Sequence, residues 1–175
     1  KPEALIGEKV DYYLPAELEA LLENAEPAMR VIIALQAFAG LRLEEALRLE
    51  FSDLFRRIGH IEISGGISKT RRRRLVEVVP ALEQWLEPFR EMEGKLVNKW
   101  SRPNSYDRVY RTLRKSLKIP SRKNGLRHAY CTYHFALHAN ENLTAKEAGN
   151  SPAMIHSSYK GLATKAEAEQ WFNVM

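Results

Sequence analysis

Residues 58–80 are where this sequence changes period, and that change limits what the chain can fold into. His60-Ile61-Glu62-Ile63-Ser64 and Leu75-Val76-Glu77-Val78-Val79 alternate their apolar residues around a Gly65-Gly66 break, the period-two pattern of half-buried strands. With Ile67-Ser68-Lys69 as a candidate third segment, the stretch predicts an antiparallel sheet of two or three strands, with Thr70 to Arg74 as an exposed hairpin tip and Lys69 at its mouth. On both sides the apolar residues return at helical spacing. Helices are predicted from Leu14-Pro15, from Pro27 to Gly40, from Leu43 toward Phe51 with Arg42 at the start and Glu45 one turn on, and from Pro80; proline suits a first turn and glycine a helix end. From Pro103, a stripe of Tyr106, Val109, Tyr110, Leu113 and Leu117 lies opposite Arg108, Arg111, Arg114, Lys115 and Lys118, a basic amphipathic helix. Further helices are expected over 125–139, 144–149, 152–158 and 164–173. The fold class is therefore mostly α with a small antiparallel β-sheet (α+β).

The chain has 175 residues, 45% apolar and 28% charged, with a formal net charge of +5, enough for one packed domain with a lean toward polyanionic partners. Its single cysteine, Cys131, excludes an internal disulfide framework and a cysteine-based zinc site. His134 and His138 have i, i+4 spacing but no HExxH motif and no evident third ligand, so no metal is expected. No apolar run approaches the ~20 residues that cross a bilayer, and no signal peptide opens the chain. A soluble cytoplasmic protein is the expectation, and the opening KPEALIGEKVDYYLPAEL reads as part of something longer.

Four residues form a chemical kit: Arg42 in AFAGLRLEEALRL, Lys69 in GGISKTRRRR, Arg127 in NGLRHAYCTYH and Tyr159 in GNSPAMIHSSY. Guanidinium forks match the oxygens of a phosphate and stay charged at physiological pH. A tyrosine oxygen can act as a covalent nucleophile. Singly, each has an ordinary reading: Arg42 paired with Glu45 on the surface, Lys69 a hairpin lysine, Tyr159 a core tyrosine.

In order and spacing these segments, over residues 10–172, resemble the catalytic domain of the tyrosine recombinases, the family of phage integrases and related site-specific recombinases. The resemblance implies strand exchange on double-stranded DNA, without metal or other cofactor: Tyr159 attacks a scissile phosphate to give a 3′-phosphotyrosyl link and a free 5′-hydroxyl. Arg42 and Arg127 would clamp the non-bridging oxygens, Lys69 would protonate the leaving oxygen, and Glu45 would orient Arg42. It also implies tetramers in synapsis, monomers off DNA, a nucleoid location, a bacterial or phage source, and an N-terminal DNA-clamping domain that these residues do not supply. Arg71, Arg72, Arg73 and Arg74, with Lys123, would track the DNA backbone; a solvated tip is the alternative. Trp171 and Phe172 would either dock on a neighbouring protomer or pack within the chain.

Two positions depart from the family pattern. Histidine is usual three residues before the second arginine, and histidine or tryptophan nine before the tyrosine; here they are Asn124 and Asn150. An amide donates a hydrogen bond but exchanges no proton near neutral pH. His156, three residues before Tyr159, and His128, beside Arg127, are candidate supporting groups; a surface position is the alternative for His156 and a structural hydrogen bond the favoured reading for His128. A degenerate family member that binds DNA without efficient strand exchange is thus the alternative function. An unrelated helical DNA-binding regulator lacks a clear helix-turn-helix here.

Overall fold

The computed structural model of the protein describes residues 10–68, 73–96 and 103–175. Helix α1 (Pro15–Asn24) and α2 (Pro27–Ala39) both begin on proline, and α2 ends at Gly40 in the left-handed conformation, φ +63°. Residues 31–39 are buried without interruption, so α2 is the central helix of the core rather than an amphipathic surface helix. The single helix expected over residues 43–51 is two, α3 (Leu43–Arg48) and α4 (Phe51–Phe55). The chain extends at Leu49 and Glu50 and restarts because the Asp53 carboxylate accepts from the Glu50 backbone N–H at 2.9 Å.

Strands β1 (His60–Ile63) and β2 (Arg74–Glu77) pair antiparallel, His60 opposite Glu77 and Ile63 opposite Arg74. Ile61, Ile63 and Val76 face the core. Of the candidate third strand, Ile67 and Ser68 belong to a turn in which both backbone N–H groups donate to the Ser64 carbonyl; Lys69 lies outside the described residues. Helix α5 (Pro80–Leu86) and a 3-10 turn (Glu87–Phe89) follow, then α6 (Pro103–Ser116), α7 (Gly125–His138), α8 (Glu141–Ala148), α9 (Pro152–Tyr159) and α10 (Lys165–Phe172). Helix α8 begins three residues before the expected start, because the Asn140 side chain caps it, accepting from the Leu143 N–H at 3.0 Å.

Helix α7 packs between α2 and α10. Trp171 is fully buried, stacks on Tyr133 at 4.8 Å between centroids and donates from Nε1 to the Ala37 carbonyl at 2.9 Å. The tail therefore packs within its own chain. Helices α7, α8 and α9 share a second cluster of Tyr130, Cys131, Ala145, Ala148, Ile155 and Tyr159.

The turn after α2 has no room for a side chain: a Cβ on Gly40 would lie 2.3 Å from Cδ1 of Tyr130. Left-handed strain and overpacking together put the expected loss for Gly40→Ala at about 2–4 kcal/mol, read from urea denaturation midpoints.

Candidate active site

The C-terminal end of α8 organises the site. The last carbonyls of a helix have no intrahelical partner and carry the negative end of its dipole, so they attract cations. Here three consecutive carbonyls each accept from a different arginine: Glu147 from Arg74 Nε at 2.9 Å, Ala148 from Arg127 Nη1 at 2.7 Å, and Gly149 from Arg42 Nη2 at 3.1 Å. Gly149 turns the chain with φ +69°, and a Cβ there would press on the Arg74 guanidinium at 3.2 Å. Arg127 Nη1 also donates to the Gly40 carbonyl, tying the end of α2 to the end of α8.

Three guanidinium groups this close need a counter-charge, and Glu45 supplies it. Its Oε1 accepts from Arg42 Nη1 at 3.3 Å and Arg74 Nη1 at 3.1 Å; its Oε2 accepts from Arg74 Nη2 at 2.7 Å and from the Arg42 backbone N–H at 3.0 Å. Glu45 is 1% exposed. Burial alone would raise its carboxyl, but hydrogen bonding and charge from Arg74, joined by Arg42, hold it below the ordinary value. Burial lowers the Arg127 guanidinium from its ordinary value, with Arg42 and Arg74 adding repulsion; a guanidinium stays protonated regardless.

Tyr159 ends α9, which is capped at its other end by Ser151 Oγ accepting from the Met154 N–H at 3.2 Å. The Tyr159 ring is buried, and its hydroxyl is 2.8 Å from His128 Nδ1. Burial, followed by the adjacent Cys131 thiol, raises the phenol above its ordinary value, while Arg127 pulls the other way. Burial, then the charge of Arg127, lowers His128. One cavity is lined by Arg42, Asn124, Arg127 and His128 together with Leu43, Glu44 and Asp107. Two fixed cations and an imidazole bonded to a phenol thus open on a common space.

The remaining expected residues divide. Asn150 reaches the site through Arg42, whose Nη2 donates to its Oδ1 at 3.4 Å. Asn124 is the left-handed residue (φ +54°) before α7, and its carbonyl accepts from the His128 N–H at 2.9 Å. His156 faces Glu141, 3.7 Å away, rather than Tyr159. Lys123 is exposed on a neighbouring cleft with Arg111, Arg114 and Arg122. Arg73 is exposed and pairs with Glu62 at 3.2 Å. Arg71 and Arg72, like Lys69, lie outside the described residues. Arg74 overturns its expected place on an exposed tip: it is the first residue of β2 and is 8% exposed, because the Glu45 carboxylate and the Glu147 carbonyl together satisfy its guanidinium. His134 bonds to Thr144 Oγ1 at 2.7 Å; burial, then His138, push its imidazole down to about 3. Among the described residues no group of three or more His, Cys, Asp or Glu side chains could hold a metal ion, and no helix is long and apolar enough to cross a membrane.

The Glu45–Arg74 pairing and the Cys131–Tyr159 contact are site features that the spacing of motifs misses. In the sequence Arg74 is one of four adjacent tip arginines; its place in the alternation that runs on through Leu75-Val76-Glu77 is the available signal.

No family model matches the sequence, and no curated protein does. Solved structures do match. The XerA recombinase aligns over 94% of this chain with a TM-score of 0.74 at 20% identity, and the catalytic domain of bacteriophage HP1 integrase over 88% with a TM-score of 0.66 at 18% identity. The fold is that of the tyrosine recombinase catalytic domain. XerH, a site-specific recombinase bound to its difH substrate in a pre-cleavage complex, aligns over 85% of this chain with a TM-score of 0.61 at 20% identity. The chain spans 92% of the HP1 integrase domain, but 65% of XerA and 50% of XerH. Within this recombinase fold, Arg42, Arg127 and Tyr159 converge from α3, α7 and α9, although Arg127 lies 85 positions after Arg42 and Tyr159 a further 32.

Proposed function

We propose that this domain cleaves and rejoins double-stranded DNA through a covalent phosphotyrosyl intermediate, as the catalytic part of a site-specific recombinase or integrase. The observation that carries the reading is the anchoring of Arg42 and Arg127 on consecutive carbonyls beside a cavity they share with His128, whose Nδ1 lies 2.8 Å from the Tyr159 hydroxyl. Preorganised donors of this kind stabilise charge that develops in a transition state, typically by a few kcal/mol per donor. Tyr159 attacks phosphorus, the arginines hold the non-bridging oxygens, and Lys69 gives a proton to the departing 5′-oxygen. The phosphotyrosyl bond conserves the energy of the bond it replaces, so a 5′-hydroxyl can reverse the step.

Double-stranded DNA is the partner, met by Arg71, Arg72, Arg73 and Lys123 and by the basic face of α6, while Arg74 serves the internal network instead. Assembly into tetramers in synapsis, a monomeric state off DNA, and action at the nucleoid in the cytoplasm belong to the same proposal. The second reading, a DNA-binding relative with weakened chemistry, draws its support from Asn124 and Asn150: neither amide can exchange a proton, and the Asn150 oxygen already accepts from Arg42. Incubation with nicked suicide duplexes carrying candidate attachment sequences separates the two. A covalent protein–DNA species on denaturing gels, lost in Tyr159→Phe, is the expected result; DNA binding with no adduct on any such duplex favours the weakened relative.

A further inference from the structure

His128 is outside the quartet that the sequence pattern assigns to the reaction, yet it is the side chain that holds the nucleophile. Its Nδ1 is 2.8 Å from the Tyr159 hydroxyl, with ring centroids 5.9 Å apart. Its backbone is fixed by the hydrogen bond from its N–H to the Asn124 carbonyl at the start of α7. The Cys131 thiol adjoins the same hydroxyl. Sulfur is a weak acceptor and an imidazole nitrogen a good one, so Nδ1 is placed to take the hydroxyl proton when the imidazole carries its own proton on Nε2. Of the two amides at the usual histidine positions, Asn150 is bonded to Arg42, and Asn124 lines the same cavity as His128 with no capping bond from its side chain; neither can take a proton near neutral pH.

We infer that His128 is the general base for the tyrosine: its Nδ1 takes the hydroxyl proton as the phenolic oxygen bonds to phosphorus, and returns it when the phosphotyrosyl link is reversed. In the forward step the O–H bond of Tyr159 breaks, an N–H bond forms on His128, and the bond from phosphorus to the 5′-oxygen breaks with its electron pair leaving on that oxygen, to be protonated by Lys69. The assignment rests on the cleavage reading above. The surroundings suit it. On α7, Arg127 opposes a charge on the imidazole and Cys131 adjoins the hydroxyl; ahead of α1, Asp11 favours that charge; across the cavity lie Arg42 and Glu44 from α3 and Asp107 from α6. Burial and Arg127 win, so the imidazole is neutral, and able to accept, at pH 7.

The test follows adduct formation on a nicked duplex between about pH 5 and pH 9, for the native protein, His128→Asn and His128→Phe. Asparagine can accept the tyrosine hydrogen bond without taking its proton. Both variants are expected to lose about 10²-fold or more near pH 7 and to regain rate as pH rises, while the native rate levels off once His128 is neutral. The loss should persist on a duplex with a bridging 5′-sulfur, whose thiolate leaves without protonation. A native rate and pH profile in His128→Asn overturns the inference and reduces His128 to a positioning group. So does a loss that vanishes on the sulfur duplex, which would make His128 the acid for the leaving oxygen. Nitrogen NMR of the His128 ring needs no DNA: a bare Nδ1 with a protonated Nε2, perturbed by Tyr159→Phe, is expected, and a protonated Nδ1 at pH 7 overturns the assignment. If no duplex gives an adduct while the ring shows a bare Nδ1, the cleavage reading fails and the acceptor geometry stands.

Discussion

Glu45→Ala is expected to be the most destabilising single substitution in the domain, at about 3–5 kcal/mol. The change removes the carboxylate that bonds both Arg42 and Arg74, and leaves the buried Arg74 guanidinium without that counter-charge beside Arg127. Denaturant titration reads the loss. Glu45→Gln keeps the shape and one acceptor oxygen and should fall between the two. The pH dependence has a definite sign. Because the folded carboxyl lies below its ordinary value, its contribution is fully present above the unfolded value of ~4.3 and disappears as pH falls through the lower folded value. Native protein should therefore lose stability over that acid window more steeply than Glu45→Gln does. Equal slopes would mean that the ion pair adds little beyond packing.

Arg127→Lys is expected to lower the rate of covalent adduct formation by about 10²–10³-fold, as removal of one preorganised donor does elsewhere. Lysine keeps the positive charge but has no planar fork, so it cannot hold the Gly40 and Ala148 carbonyls and also present donors to a phosphate. The loss should appear in the rate of the cleavage step at saturating DNA, with a smaller change in DNA affinity, because the residues proposed to track the DNA backbone are others. Arg127→Ala adds a stability penalty of about 1–3 kcal/mol for a buried carbonyl left unsatisfied; thermal unfolding measured in parallel separates that from chemistry. A lysine variant with native cleavage rate would remove Arg127 from the transition state.

Much of this arrangement is legible before folding. Proline and glycine mark the two ends of α2 and proline the start of α5, and the apolar stripe of α6 names Tyr106, which proves buried. Arg42 at the head of α3 and Arg127 in the first turn of α7 fall where their motifs place them. The errors share a cause. Whether Glu50 continues a helix or restarts one depends on the Asp53 cap, and whether Arg74 is solvated or buried depends on Glu45, 29 residues away. Such choices are made by a partner distant in the chain or by a single capping bond, and periodicity carries neither. His128 illustrates the same limit: beside Arg127 on a helix its ring points about 100° away from that arginine, and only the packing of α9 on α7 shows that this direction leads to Tyr159.

The most direct measurement is mass spectrometry of the protein–DNA species formed on a nicked duplex, after nuclease and protease digestion. The expected result is a nucleotide mass on Tyr159 within the peptide that contains Asn150 and His156, with a free 5′-hydroxyl on the released strand. A nucleotide on any other residue, or a 5′-phosphate on the released strand, would contradict the account.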